Sequence, residues 1–178
     1  MKSRQLMYLL LTVIFMTGVY SCVTIPKRAV AVKPFDKKRY LGKWYEIARL
    51  DFKFEKNLNN TTAEYSLNDN GTIKVDNQGY NTKKEKWEQA IGKAKFVGEA
   101  NVAKLKVSFF GPFYAGYNVV AIDDYKYALV VGKNLKYLWI LSRETSIPVK
   151  IKDKYLKIAE EIGYQTSDLL WVKHDKQR

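Results

Sequence analysis

The feature that most constrains the fold of this chain is a succession of short segments in which apolar and polar residues alternate. Residues 61–67 alternate with period two, residues 68–71 (Asn-Asp-Asn-Gly) supply a turn, and residues 72–77 resume the alternation. Such alternation is typical of half-buried β-strands, and a polar, glycine-containing turn between two such segments is typical of an antiparallel hairpin. The pattern therefore predicts an all-β protein.

The same pattern continues along the chain. It predicts eight strands, over 43–51, 61–68, 72–80, 87–97, 102–110, 116–123, 126–132 and 136–143. Eight consecutive strands with mostly short connections predict an antiparallel up-and-down barrel, which at this size holds one small ligand.

A helix and a last strand are predicted after the barrel. An apolar stripe of helical period begins after Pro148 and stops at Gly163, and a short strand is predicted over 169–172. We expect this C-terminal helix to pack on the barrel wall. The alternative, a helix on a membrane surface, fits less well because acidic residues interrupt its basic face.

Composition limits the chemistry of the protein. The single cysteine, Cys22, excludes an intramolecular disulfide, and the single histidine, His174, leaves most zinc sites and Ser-His or Cys-His schemes without their residues. We therefore expect no metal and no cofactor. The excess of 31 Lys and Arg over 18 Asp and Glu also suits a nucleic-acid binder, but the cations are spread along the chain without a dense cluster.

The N-terminus has the pattern of an export signal. Two cations precede an apolar run over 6–19, which is too short to span a bilayer as a helix. Residues 19–22 (Val-Tyr-Ser-Cys) resemble a lipobox, in which the cysteine is acylated and begins the mature chain. Cys22 is thus the predicted lipidation site, and the alternative is a secreted protein with a free thiol. Export and lipidation also argue against nucleic acid as a partner.

These signals divide the chain into three parts. We predict a lipoprotein signal peptide over 1–21, a lipidated tether over 22–35 and one folded domain over 36–178. The tether carries Pro26 and Pro34 and no acidic residue. As an extended segment it would reach about 40 Å and hold the domain clear of the membrane.

Alternation also predicts which side chains face the barrel interior. Counting from Trp44, it places Glu46, Ala48 and Leu50 inside. Glu46 then has two interpretations, an anchor for a cation or hydroxyl, or a member of a hydrogen-bond network, which we favour. Three small residues would line the interior without filling it, which favours a cavity: Ala90, Gly92 and Ala94.

Three motifs, in order and at a spacing compatible with a barrel, resemble the signatures of the lipocalin family. They are Gly42-Lys43-Trp44, Asp123-Asp124-Tyr125 and an arginine that ends the eighth strand, Arg143. Asp123 stands where the family has threonine, which affects local hydrogen bonding in a turn. The resemblance implies that Trp44 closes the barrel floor and that Arg143 lies across it. The residues expected to be structural are Gly42, Trp44, Asp123, Asp124, Tyr125 and Arg143.

Within that family the chain is similar to bacterial outer-membrane lipocalins, through residues 40–42, 107–114 and 117–119 together with the lipobox. The resemblance implies a lipid-anchored protein of the outer membrane that faces the periplasm. It also implies a binding protein, not an enzyme, which holds a fatty acid such as palmitate, or a lysophospholipid, for lipid storage or transport.

Ligand is expected to enter at the open mouth, with cations such as Lys53 and Lys83 near its head group. The candidate ligand-binding residues are Ala48, Phe54, Tyr65, Phe96, Val107, Phe109, Phe113, Tyr117 and Trp139. Two alternatives stay open, a lipid-modifying enzyme on the same scaffold and a homodimer.

Overall fold

The computed structural model describes residues 24–178, which form a closed antiparallel barrel with one long helix. The strands are β1 (Gly42–Leu50), β2 (Leu58–Leu67), β3 (Ile73–Asn81), β4 (Lys86–Phe96), β5 (Lys104–Phe110), β6 (Phe113–Asp123), β7 (Tyr127–Val131), β8 (Leu138–Ser142) and β9 (Leu169–Trp171). The helices are α1 (Lys37–Tyr40) and α2 (Val149–Ile162), and a short 3-10 helix spans Thr166–Asp168.

The barrel closes because β1 pairs with strands from both ends of the sheet. Each strand from β2 to β7 pairs antiparallel with the next, and β1 pairs with both β8 and β2. The short β9 adds to the mouth half of β1. The predicted fold class, with eight strands in up-and-down order and a C-terminal helix, is confirmed.

Two apolar clusters lie on opposite sides of the barrel wall. The inner cluster fills the lower barrel, and the outer cluster joins the wall to α2 through Tyr155 and Ala159. On β7, Leu129 faces the helix and Val130 faces the interior, and neither side chain is exposed. A strand buried on both faces needs apolar residues at every position, which is why β7 is a continuous apolar run.

The ends of α2 follow from its sequence. It begins after Pro148, whose fixed φ suits a helix start, and it ends at Gly163, whose φ of 117° is left-handed. The Gly163 N–H closes the helix by donating to the carbonyl oxygens of Ala159 and Glu160. Within residues 24–178, no helix has both the length and the apolar character to cross a bilayer.

A bulge in β1 reverses the direction in which its second half points. The pairing of β1 with β8 shifts register between Glu46 and Ala48. Because side chains alternate across a strand, one extra residue moves Ala48 into the outer cluster and turns Arg49 inward, onto Glu46. The prediction that Ala48 and Leu50 face the interior is therefore wrong, and Ala48 does not line the ligand site.

Residues 24–35, called the strap below, lie against the barrel. The strap backbone pairs with the wall, since the Ala103 N–H donates to the Val32 carbonyl oxygen at 2.9 Å and the Phe35 N–H donates to the Asn101 carbonyl oxygen at 2.8 Å. Phe35 is buried beneath the barrel. The prediction of an extended tether that holds the domain clear of the membrane is wrong for this segment. The predicted signal peptide and Cys22 lie outside the described residues.

Candidate ligand-binding site

The floor of the barrel is sealed by a tryptophan and an arginine. Trp44 is 0% exposed, and its indole N–H donates to the Tyr40 carbonyl oxygen at 2.8 Å. The Arg143 guanidinium carbon lies 3.8 Å from the centre of the Trp44 ring. Arg143 also donates to the main-chain carbonyl oxygens of Arg39, Tyr40, Leu41, Lys43 and Tyr125. Ligand therefore has no route through this end.

The remaining signature residues shape the floor. Gly42 has a φ of 90°, a left-handed backbone conformation that favours glycine. The Tyr125 hydroxyl accepts from the Asp36 N–H at 2.6 Å. Asp123, where the family has threonine, pairs with Lys154 of α2 at 2.6 Å. The aspartate thus adds a tie between the barrel and the helix.

Three tyrosines fill the lower half of the interior above Trp44. The Tyr117 hydroxyl lies 2.6 Å from that of Tyr40 and 2.8 Å from that of Tyr65. Burial raises the pKa of each hydroxyl, so all three are neutral and can share protons along the chain of oxygens. Tyr65 therefore belongs mainly to the packed floor, as does Phe96, whose ring centre lies 6.3 Å from that of Phe35.

The upper half of the interior is more open. Val107, Phe109, Tyr117 and Trp139 belong to the inner cluster, yet each keeps part of its surface exposed. Inward side chains that stay partly exposed leave room beside them. These four predicted residues therefore share the inner face of the barrel.

The small residues of β4 contribute less room than expected. A Cβ on Gly92 would lie 2.8 Å from the Phe109 ring, so that ring already occupies the space above the glycine. Ala94 is buried in the inner cluster, and Ala90 is exposed. Gly92 thus serves close packing by the Phe109 ring.

A buried ion cluster, which we call the triad, lies inside the barrel near the mouth. It consists of Arg49, Glu46 and Glu55. Arg49 is 0% exposed and lies 2.6 Å from a Glu46 carboxylate oxygen and 3.6 Å from a Glu55 oxygen. Arg49 also donates to the carbonyl oxygens of Glu55 and Leu58, and the Trp139 indole N–H donates to Glu55 at 3.2 Å. Glu46 therefore belongs to a hydrogen-bond network.

The triad contains two carboxylates and one cation, and its electrostatics reflect that imbalance. Burial raises the pKa of Glu55 well above its ordinary value, and the neighbouring Glu46 charge raises it further, while Arg49 opposes both effects. Burial likewise raises the pKa of Glu46 against the opposing Arg49 charge. Arg49 is therefore committed to the two carboxyl groups of the triad.

Replacing Glu55 with Gln should stabilise the protein relative to the parent, by an amount that grows as pH rises above about 4.3. The folded-state pKa of Glu55 is raised, so the parent loses unfolding free energy as pH rises from the unfolded pKa through the folded one. Gln carries no charge and keeps an oxygen for Trp139. Urea unfolding from pH 4 to 8 measures the difference, with the exposed Glu64→Gln as control. A difference that stays constant with pH would contradict the assignment.

The mouth is the barrel end formed by loops 51–57, 82–85, 111–112 and 132–137. The first of these loops reaches across it. The Phe52 ring centre lies 5.6 Å from that of Trp139, and the Phe54 ring centre lies 6.3 Å from that of Phe110 at the tip of the β5–β6 hairpin. Loop 51–57 therefore forms a partial lid over the open upper half.

Sequence reasoning missed Arg49 and Glu55. The only signal for Arg49 was a charged residue between apolar ones near the end of a predicted strand. Outside the barrel, the single histidine is hydrogen-bonded to the wall, since His174 Nε2 lies 2.8 Å from the Glu46 carbonyl oxygen. Among residues 24–178, no three His, Cys, Asp or Glu side chains are grouped so as to hold a metal ion.

Comparison with known proteins agrees with this geometry. Residues 35–174 match the family model of the lipocalin-like domain. The chain belongs to the lipocalin family. This lipocalin is 51% identical over 163 residues to the outer membrane lipoprotein Blc of Citrobacter freundii, a match that covers 91% of this chain and 92% of the relative. It is 43% identical over 168 residues to Blc of Vibrio cholerae, with 93% and 96% covered.

A solved structure shows the same fold at low sequence identity. Insecticyanin from the tobacco hornworm Manduca sexta superposes on this lipocalin with a TM-score of 0.67 at 23% identity, covering 84% of this chain and 85% of that one. Lipocalins are in general binding proteins for small hydrophobic ligands. The open upper half beneath the lid suits that role.

Proposed function

We propose that this lipocalin is an outer-membrane lipoprotein, facing the periplasm, that holds one fatty acid or lysophospholipid for lipid storage or transport. The observation that carries the proposal is the partly exposed apolar lining formed by Val107, Phe109 and Trp139, above a packed floor and below a lid. The names of the Blc relatives, which are outer membrane lipoproteins, support the location. No catalytic role is proposed.

The packed lower half of the interior favours a single acyl chain. Each buried methylene contributes about 0.8 kcal/mol, so a chain of ~16 carbons offers at most about 13 kcal/mol before losses of entropy and desolvation. Micromolar affinity needs only about 8 kcal/mol. Tyr40, Tyr65 and Tyr117 occupy the lower half, so a second chain has little room.

The charges at the mouth favour an anionic head group at the rim. Lys53 and Lys83 are exposed on loops that form the mouth. In the triad below them, Arg49 is already paired with Glu46 and Glu55 and is not available to an anionic head group. The head group therefore stays in contact with water and the rim lysines while the chain enters the barrel.

We expect an anionic lysophospholipid to bind more tightly than a neutral one of equal chain length. Exposed ion pairs contribute only about 0 to 1 kcal/mol, so the preference should be at most about fivefold and should shrink with salt. Delipidated Cys22→Ser protein is titrated with both lipids at low and high salt, with a diacyl lipid as control. Equal affinities at both salts remove the electrostatic claim, and no saturable binding of any lipid removes the proposed function.

We expect Cys22→Ser to release the protein from the membrane fraction of cells. Acylation at Cys22 supplies more than one chain, which anchors stably where one chain would not. Fractionation followed by immunoblotting measures the distribution, and Ser21→Ala, which keeps the cysteine, is the matched control. A Cys22→Ser protein that stays as membrane-bound as its parent would refute lipid anchoring at this residue.

A further inference from the structure

We infer that the mouth of the barrel docks directly on an anionic lipid surface, so that ligand can pass between the membrane and the barrel with little exposure to water. The inference rests on the proposed acylation of Cys22. It goes further by specifying which end of the barrel meets the membrane and which side chains make the contact. Three observations carry it: the course of the strap, the exposed aromatic residues of the mouth and the lysines around them.

The N-terminal end of the strap, Thr24, lies at the mouth end of the barrel. The Thr24 carbonyl oxygen accepts from Asn118 Nδ2 at 2.7 Å, on the outer face of β6. It also lies against Gly116, where a Cβ would collide with that oxygen and would come within 3.1 Å of the backbone nitrogen of Lys133. Gly116 is near the mouth end of β6, and Lys133 is in mouth loop 132–137. Thr24 is therefore held beside the mouth.

This course limits where an anchor on Cys22 can be. Two extended residues span at most about 7 Å, so an acyl anchor two residues before Thr24 would be attached close to the mouth end of the barrel. The floor end of the strap is Phe35, buried under the barrel. An anchor at the mouth end brings that end to the bilayer.

The mouth presents an aromatic rim made of Phe54, Phe110 and Phe113. These side chains are 71%, 69% and 79% exposed, and Phe54 and Phe110 lie with ring centres 6.3 Å apart. Grouped exposed aromatic residues mark an interaction surface, and aromatic rings are favoured at the level of lipid head groups. The rim stands at the end of the barrel that the strap brings to the membrane.

Exposed lysines surround the aromatic rim. They are Lys53, Lys56, Lys83, Lys84, Lys133 and Lys136. Of the acidic residues in the same loops, Glu55 is paired inward with Arg49, which leaves Asp51 and Glu85 exposed. Cations around apolar side chains suit an anionic bilayer, where the rings enter the interface and the lysines meet head groups.

The first test locates the two ends of the acylated full chain in vesicles of phosphatidylethanolamine and phosphatidylglycerol. Acylation blocks Cys22, the single cysteine, so a nitroxide can be attached at Phe113→Cys or at Leu67→Cys, which lies at the floor end of β2. We expect the label at 113 to be relaxed mainly by membrane-dissolved oxygen and the label at 67 mainly by an aqueous nickel chelate. If the nickel chelate relaxes both labels, or if membrane-dissolved oxygen relaxes the label at 67, the inference is overturned.

The second test measures the rim without the anchor. Phe113→Ser in the Cys22→Ser background should lower partitioning onto the same vesicles about tenfold, since a phenylalanine side chain loses its apolar contact. Val149→Ser removes a similarly exposed apolar side chain at the start of α2, 69% exposed, and should leave partitioning unchanged. Equal effects of the two substitutions, or self-association of the protein in place of vesicle binding, overturn the inference.

The two proposals fail separately. Bilayer contact at residue 113 without saturable lipid binding keeps the docking surface and removes the proposed ligand. Saturable lipid binding with residue 113 exposed to water keeps the proposed ligand and removes the docking surface. An unacylated Cys22, detected by mass spectrometry of the same preparation, removes the anchor and with it the inferred orientation.

Discussion

Replacing Arg49 with Met should lower the free energy of unfolding by about 3 to 5 kcal/mol at neutral pH. The substitution leaves the carboxylates of Glu46 and Glu55 buried without a counter-charge. It also removes the donor to the carbonyl oxygens of Glu55 and Leu58, at 2.8 and 2.9 Å. Urea unfolding of the Cys22→Ser protein with and without the substitution measures the loss.

Two comparisons separate this charge effect from lost packing. Arg28→Met removes an exposed arginine and should change stability by less than about 0.5 kcal/mol. Adding Glu46→Gln and Glu55→Gln to Arg49→Met should recover part of the loss, because no unpaired charge then remains. The loss should also shrink at pH 4, where the carboxyl groups with raised pKa are protonated. A loss that is the same at pH 4 and pH 7 would contradict the charge argument.

The triad also links the wall to the lid. Arg49 is on β1, whereas two of its acceptors, the carbonyl oxygens of Glu55 and Leu58, lie within and just after loop 51–57. A buried ion cluster is seldom more stable than apolar packing of the same volume. Here the cluster has a further effect, because the Arg49 hydrogen bonds fix the position of the loop that carries Phe52 and Phe54 across the mouth.

The strands were predictable because alternation is a local property. Each inward residue of β5, such as Leu105 and Val107, is separated from the next by one outward residue, so five or six residues suffice to identify the strand. The same holds for α2, where the helical stripe and Gly163 are within one segment. The barrel order then followed from short connections between consecutive strands.

The bulge in β1 was not predictable from local alternation. It arises where β1 pairs with β8, about ninety residues later in the chain, and the sequence around Glu46 contains no glycine or proline to mark it. One shifted residue exchanged Ala48 for Arg49 on the inner face. The most highly charged part of the candidate site was therefore missed.

The strap was misjudged for a related reason. Two prolines and a lack of acidic residues are typical of a tether, but the partners of this segment are backbone groups far along the chain. Val32 pairs with Val119 and Ala103, whose positions depend on the closed barrel. Backbone pairing of this kind leaves little trace in the side-chain pattern. The hydrogen bonds among the tyrosines of the floor were unpredictable for the same reason, since Tyr40 precedes Tyr117 by 77 residues.

Replacing Trp44 with Ala should lower the free energy of unfolding by about 3 to 5 kcal/mol, because a fully buried indole leaves a cavity that the floor cannot close. For a domain of this size each kcal/mol corresponds to about 2 to 4 °C, so the melting temperature should fall by roughly 6 to 20 °C. Calorimetry measures the shift, and Trp171→Ala, on a partly exposed tryptophan of β9, is the matched control.

Most of the unfolding free energy lost in Trp44→Ala should reflect lost packing of the indole ring. Trp44→Phe keeps most of the ring beneath the Arg143 guanidinium and loses the indole donor to Tyr40, so we expect a loss nearer 1 to 2 kcal/mol, about that of one buried hydrogen bond and a smaller ring. Arg143 keeps its carbonyl acceptors in both variants. Because the tyrosines separate the floor from the open upper half, folded Trp44→Phe protein should bind lysophospholipid as the parent does. A melting temperature unchanged in Trp44→Ala would contradict the sealed floor, and a loss of lipid affinity in folded Trp44→Phe would show that ligand reaches it.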